Sequence, residues 1–263
     1  MAQSLQDLWV VVTRPAAQAA GLSAAIEKRG GHAISWPALS IEPIKISAQS
    51  EKKLTELDSY DHIIFISVNA VNYGLAAIKK HRPDLSLGTL EDKNIFAVGK
   101  TTASALQAKG IETIHVPEIA SSEGLLRMPV FDRDVIYGKR CLIFRGVGGN
   151  EKLAEGLLKR GATVDYTEVY QRKSAYSDPT ILEIHREKEQ LNVIIITSIA
   201  GLENLFDIMG KKHHAWLFST PLLTVSDRVT EFAQRMGFTN QLLIAKSARD
   251  NDIIAALESW HQS

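Results

Sequence analysis

The sequence predicts an α/β protein whose parallel sheets are covered by helices on both faces, and three observations carry that expectation. Short, continuously apolar and β-branched runs alternate along the chain with segments of helical period. Fully buried parallel strands read this way, whereas half-exposed antiparallel strands alternate apolar with polar residues. The chain also matches itself. At an offset of 131, half its length of 263, residues 13–31 fall without a gap on residues 144–162. Each matched segment, finally, has one form: a strand, a small polar residue or glycine, then a helix. In open α/β sheets that junction lies at the carboxyl edge, where helix N-terminal amides face outward and ligands bind.

The first strand is WVVV at 9–12. The helix after it carries Leu22 and Ile26 at helical spacing and closes on Arg29 and Gly30, as a helix with a left-handed cap does. HIIFIS at 62–67 is the next strand, and it ends in Ser67 at a helix start. IFAV at 95–98 follows, with Gly99, Lys100, Thr101 and Thr102 opening its helix, and Ser122 and Glu123 look like the start of another, capped helix. CLIF at 141–144 runs through RGVGG into a helix where Leu153, Leu157, Arg160 and Gly161 repeat Leu22, Ile26, Arg29 and Gly30. VIIIT at 193–197 leads to Ser198, which the repeat aligns with Ser67; LLTV at 222–225 leads to Ser226, aligned with Gly99; LLIA at 242–245 ends the series. Two similar α/β units follow from this, with a period too long for a solenoid.

Composition narrows the function classes. Thirty basic side chains balance thirty acidic ones, which removes the basic footprint expected of a nucleic-acid binder. No apolar run approaches the roughly 20 residues of a membrane helix, so no membrane span is expected. The first residues, MAQSLQDLWVVV, have neither the basic start nor the longer apolar stretch of a signal peptide, and the chain reads as cytoplasmic. The single cysteine, Cys141, excludes an intramolecular disulfide or a thiolate metal cluster and reads as a buried small hydrophobe. Adjacent His213 and His214 lack zinc-ligand spacing and are expected on a solvated surface. Glu151 stands where a dinucleotide fingerprint needs its third glycine, against a nucleotide loop.

The order and spacing of VVVTRP (10–15), FISVNAV (65–71), FAVGKTTASAL (96–106), LIFRGVGGNE (142–151), EVYQR (168–172), IITSIAGL (195–202) and LTVSDRV (223–229) resemble the uroporphyrinogen-III synthase family over nearly the whole chain. The resemblance implies two flavodoxin-like (HemD-type) α/β domains with parallel sheets, joined by a two-stranded β-ladder. One domain would hold residues 1–36 and 174–263, the other residues 48–166, with 37–47 and 167–173 as the ladder. It implies a lyase that closes hydroxymethylbilane to uroporphyrinogen III, losing water and inverting the last pyrrole ring through a spiro intermediate. It implies no cofactor and no metal. It also implies a monomer that takes its substrate over from porphobilinogen deaminase. A two-lobed binding or sensor protein would share the same repeats without catalysis.

Tyr170, in EVYQR, matches the family's tyrosine and is expected to donate a proton to the departing hydroxyl; a cross-strand aromatic pair is the plainer alternative. Ser67 and Asn69, and in the second repeat Thr197, Ser198 and Gly201, are expected to face substrate carboxylates or simply to cap helices. Many family members carry a Ser-Pro-Arg-like run where this chain has Ser67, Val68 and Asn69, so the resemblance carries no basic contact over to this position. Gly99, Lys100, Thr101, Thr102, Ser122 and Ser226 complete the expected hydroxyls and amides. Arg14 and Arg145 open the paired TRP and RGVGG turns, with Gly148 and Gly149 allowing close backbone approach; they are expected to bind substrate or to brace tight turns.

Overall fold

The computed structural model describes residues 4–85, 90, 93–239 and 241–262. The chain divides into two units, Met1–Ser40 with Lys173–Ser263 and Ile41–Arg172. In chain order the first unit opens with β1 (Trp9–Val12), α1 (Ala16–Glu27) and β2 (His32–Ser35). β3 (Leu39–Pro43) leads into the second, which holds α2 (Ala48–Thr55), β4 (His62–Phe65), α3 (Val68–His81), β5 (Asn94–Ala97), α4 (Lys100–Gln107) and β6 (Ile114–His115). It continues with α5 (Ser122–Leu126), α6 (Arg133–Ile136), β7 (Arg140–Gly146), α7 (Lys152–Lys159) and β8 (Thr163–Ser174). The first unit then resumes with α8 (Pro179–Glu187), β9 (Val193–Ile195), α9 (Ile199–Met209), α10 (His214–Ser219), β10 (Leu222–Thr224), α11 (Asp227–Met236), β11 (Leu242–Ile244) and α12 (Asp250–His261).

In the first unit five strands lie in the order β11-β10-β9-β1-β2, and the pairings are parallel. Successive side chains of a strand point to opposite faces, so a run that is apolar at every position fills two cores at once. Val10, Val12, Val193 and Ile195 pack with Leu22 and Ile26 of α1 and Ile253, Ile254 and Leu257 of α12. Val11 and Ile194 point the other way, onto Leu202, Leu205 and Phe206 of α9. Each valine of β1 that is fully buried contributes about 1.5–3 kcal/mol of transfer free energy, which is why so short a strand holds its place.

The second unit has six strands in the order β3-β8-β7-β4-β5-β6. From β8 to β6 the pairings are parallel. β3 runs antiparallel to β8, as the bonds from Ile44 N to Val169 O and from Ala175 N to Ala38 O require. Ile63, Phe65, Leu142 and Phe144 face α3 and α4, while Ile64, Phe96, Cys141 and Ile143 face α5 and α7. Cys141 is fully buried, and burial pushes its thiol up to about 12. The boundary expected at residue 166 falls inside β8, which pairs with β7 from Thr163 onward; the expected ladder strand and the last sheet strand are one element.

One irregularity positions the site. Arg145 of β7 stands opposite Glu168, but the next residue, Gly146, stands opposite Tyr170. The skipped residue is a β-bulge, a device that re-aims side chains. In an unbroken strand Val169 and Tyr170 would point to opposite faces; here both are buried in the same core cluster.

Candidate functional site

Ligands of doubly wound sheets bind beyond the carboxyl ends of the strands, where the strand order reverses direction. In the second unit that reversal lies between β4 and β7, since β5 and β6 continue on one side and β8 on the other. The residues just past those strand ends are Ser67 and the RGVGG loop, and the bulge brings Tyr170 beside them.

Ser67 is the N-cap of α3, with its Oγ accepting from Ala70 N at 3.0 Å. The same Oγ lies 3.1 Å from the Tyr170 hydroxyl. A serine hydroxyl has one proton and two lone pairs. Because capping uses a lone pair, the Ser67 proton is left free to point at the phenol oxygen. Tyr170 itself is only 2% exposed. One side of its ring lies over Gly146, where an added Cβ would come within 2.6 Å of ring carbons. Tyr73 of α3 stacks on it, with centroids 5.9 Å apart and planes at 29°. Tyr73 in turn donates from its hydroxyl to Ile41 O at 3.0 Å.

Arg145 is 3% exposed and is held by its own loop. It bonds Glu151 at 2.7 Å, donates to the carbonyls of Gly149 and, at 3.3 Å, Gly146, and lies 4.4 Å over the Tyr166 ring. Gly149 has no room for a side chain, since a Cβ would meet the guanidinium at 2.9 Å, and Gly148 has a positive φ of 70°. Tyr166 donates to Glu151 at 2.5 Å; that bond, then Arg145, holds the Glu151 carboxyl below its ordinary range, while burial and then the same bond push the Tyr166 phenol up to about 12. Arg14, 7% exposed, is the counterpart in the first unit: it bonds Asp250 at 2.6 Å and donates to Ala248 O. Each arginine is thus tied to its own unit, Arg14 through Asp250 and Ala248 and Arg145 through Glu151, Gly149 and Gly146.

The remaining expected residues line the carboxyl edges unit by unit. In the second unit Gly99 is the N-cap of α4 and lies against Ala120, with Lys100 and Thr101 exposed on the first turn and Thr102 buried behind them. Asn69 is half-buried in the first turn of α3. The cap of α5 is Ser121, whose Oγ accepts from Gly124 N at 2.9 Å; Ser122 is the first helical residue instead. In the first unit the reversal lies between β1 and β9. Ser198 caps α9, accepting from Gly201 N at 3.1 Å, and Thr197 beside it is half-buried. Ser226 precedes α11 and is exposed, without a side-chain capping bond.

The expectation for the adjacent histidines changes. His213 is not solvated: its side chain is 12% exposed, its Nδ1 accepts from Trp216 at 3.0 Å and its Nε2 lies 2.7 Å from Glu183. His214 meets the Phe206 ring edge-on at 4.7 Å. Both are drawn in because α10 packs its aromatic residues on α9. Sequence reasoning missed Tyr73 and the closeness of Gly146 to Tyr170; the glycine opening RGVGG was the available signal, whereas nothing local marks Tyr73.

Among the described residues no helix is long and apolar enough to cross a membrane, and no three His, Cys, Asp or Glu residues stand together as a metal site.

Fold and site together define a two-unit, doubly wound α/β protein with capped helix starts at the carboxyl edge of each sheet. A family profile described as Uroporphyrinogen-III synthase HemD matches residues 20–255. The chain belongs to the uroporphyrinogen-III synthase family, lyases of tetrapyrrole biosynthesis. The uroporphyrinogen-III synthase of Escherichia coli K12 is 29% identical over 251 residues, 95% of this chain and 99% of that one. That of Proteus mirabilis is 33% identical over 167 residues, 62% of this chain and 79% of the relative. The fold is shared with the uroporphyrinogen-III synthetase of Helicobacter pylori, at a TM-score of 0.61 and 14% identity over 96% of this chain and 99% of that one. A mutant synthase from the extreme thermophile Thermus thermophilus gives a TM-score of 0.58 and 19% identity over 97% and 99%.

Proposed function

We propose that this chain closes hydroxymethylbilane to uroporphyrinogen III, with Tyr170 as the proton donor that starts the reaction. Loss of the terminal hydroxyl as water, on a proton from outside the bilane, leaves an azafulvenium cation. Attack by the substituted carbon of ring D gives a spiro intermediate, which fragments and recloses as the type III isomer. Tyr170 supplies the proton that turns the departing hydroxyl into water, and Ser67, donating to the phenol oxygen, stabilises the phenolate left behind. Ring closure releases one proton, which restores the phenol. Atoms and charge balance without electron transfer, so the reading includes no coenzyme.

The observation that carries it is the 3.1 Å contact between Ser67 and Tyr170 at the point of strand-order reversal. A positioned proton donor contributes about 10²-fold or more, and fixing the reacting ends against the competing closure contributes besides. Substrate carboxylates would be met by the helix starts at Ser67 and Gly99, in the same unit as Tyr170, where amides and the positive dipole end favour anions. The same reading has the protein act as a cytoplasmic monomer, fed directly by porphobilinogen deaminase, because free bilane closes unaided to the wrong isomer.

The test is a coupled assay with porphobilinogen deaminase in which the product is oxidised and isomers I and III are separated. Type III should dominate with the purified protein, and only type I above the spontaneous background would refute the activity. Tyr170→Phe should lower turnover about 10- to 100-fold with little change in melting temperature. Full turnover would make Tyr170 a packing residue.

A further inference from the structure

We propose that Tyr73 is a positioning residue for Tyr170, a role that rests on the proton-donor reading above. A phenol that must release and regain a proton has to hold its oxygen on Ser67 throughout, yet a tyrosine ring has two rotatable side-chain bonds. Three contacts remove that freedom. Gly146 closes one side of the ring without a side chain of its own. Tyr73 closes against it with centroids 5.9 Å apart. Ser67 holds the hydroxyl.

Of these, Tyr73 is itself pinned at both ends. It sits on α3, the helix that Ser67 caps, and its hydroxyl is tied to Ile41 O on β3. Its ring therefore keeps a fixed place between α3 and the strand next to β8. Aromatic pairs of this geometry attract each other beyond what their buried area gives, enough to decide between nearby ring orientations. The bulge at Val169 gives the phenol a re-aimed strand end that such a neighbour can hold.

A double-mutant cycle decides the matter, with kcat, KM and the share of type III product measured for Tyr73→Leu and Tyr73→Phe, each in the Tyr170 protein and in Tyr170→Phe. If Tyr73 acts through Tyr170, Tyr73→Leu should lower kcat about 5- to 20-fold with KM within about twofold, and should cost nothing further once Tyr170 is phenylalanine. Tyr73→Phe keeps the ring and loses only the tie to Ile41, so it should lower kcat about two- to threefold, again only with Tyr170 present. This milder variant decides the question if Tyr73→Leu does not fold. Equal losses in both backgrounds, or an unchanged kcat, would overturn the inference alone. Full turnover of Tyr170→Phe by itself would overturn the proton-donor reading and this inference with it.

Discussion

His62 stands on β4 with both ring nitrogens buried and without a hydrogen-bond partner among the described residues. Phe96 and Phe131 meet it edge-on at 5.5 and 5.9 Å. Burial holds its pKa below the ordinary histidine value; Asp61 opposes this, while Lys139 and His115 add to it. A histidine lowered in the folded state contributes its full stability above the free value of about 6.5, and that stability is lost as the pH falls from there through the folded pKa. His62→Leu should therefore flatten the fall in stability between pH 7 and 5. At pH 7 it should be neutral or stabilising by up to about 2 kcal/mol, since two unpaired polar atoms leave the core. Denaturant midpoints measured across that range check this, and parallel curves for the two proteins would rule it out. At this scale the capping serines were legible, because Ser67 and Ser198 sit at the same point of a repeat. The setting of His62 was not, since Phe131 lies far along the chain and only the fold brings it near.

At the scale of one element, α3 links the sheet to the site: Ser67 caps it, Tyr73 lies within it, and Gly74 lets it sit close. A Cβ on Gly74 would come within 2.9 Å of Phe144 and 3.1 Å of Phe65, two fully buried rings stacked at 4.8 Å. Alanine would gain about 1 kcal/mol of helix propensity, but overpacking rigid, buried rings costs about 1–3 kcal/mol. Overpacking wins because neither ring can rotate away, so Gly74→Ala should lower the melting temperature and, by shifting Tyr73, turnover as well. A melting temperature that rises would show that α3 can retreat from the sheet. The central strands were legible as continuous apolar runs. β2 and β6 were not: they are short edge strands with exposed positions, and a two- or four-residue ladder leaves no periodic trace. β3 and β8 came from family resemblance alone, since their burial is mixed.

For the whole molecule, the repeat marks which segments are alike but not which copies pack together. Self-similarity suggests a cut near residue 131, yet β1 lies between β2 and β9, and β4 lies between β5 and β7. A fragment of residues 38–174 would contain the complete six-stranded sheet and should melt cooperatively. A fragment of residues 1–131 would lack β7 and β8 and would leave β1 without β9, exposing apolar faces in both sheets, so it should aggregate. Calorimetry and light scattering on the two fragments check this, and the reverse outcome would refute the division at β3 and β8. The central place of β1 also sets an order of events during synthesis. Val10 and Val12 leave the ribosome before their partners Val193 and Ile195, which follow roughly 180 residues later, on the order of 10–40 s at typical elongation rates. The middle of the chain can fold while its beginning waits, and through that interval the nascent strand needs shelter from its neighbours more than it needs speed.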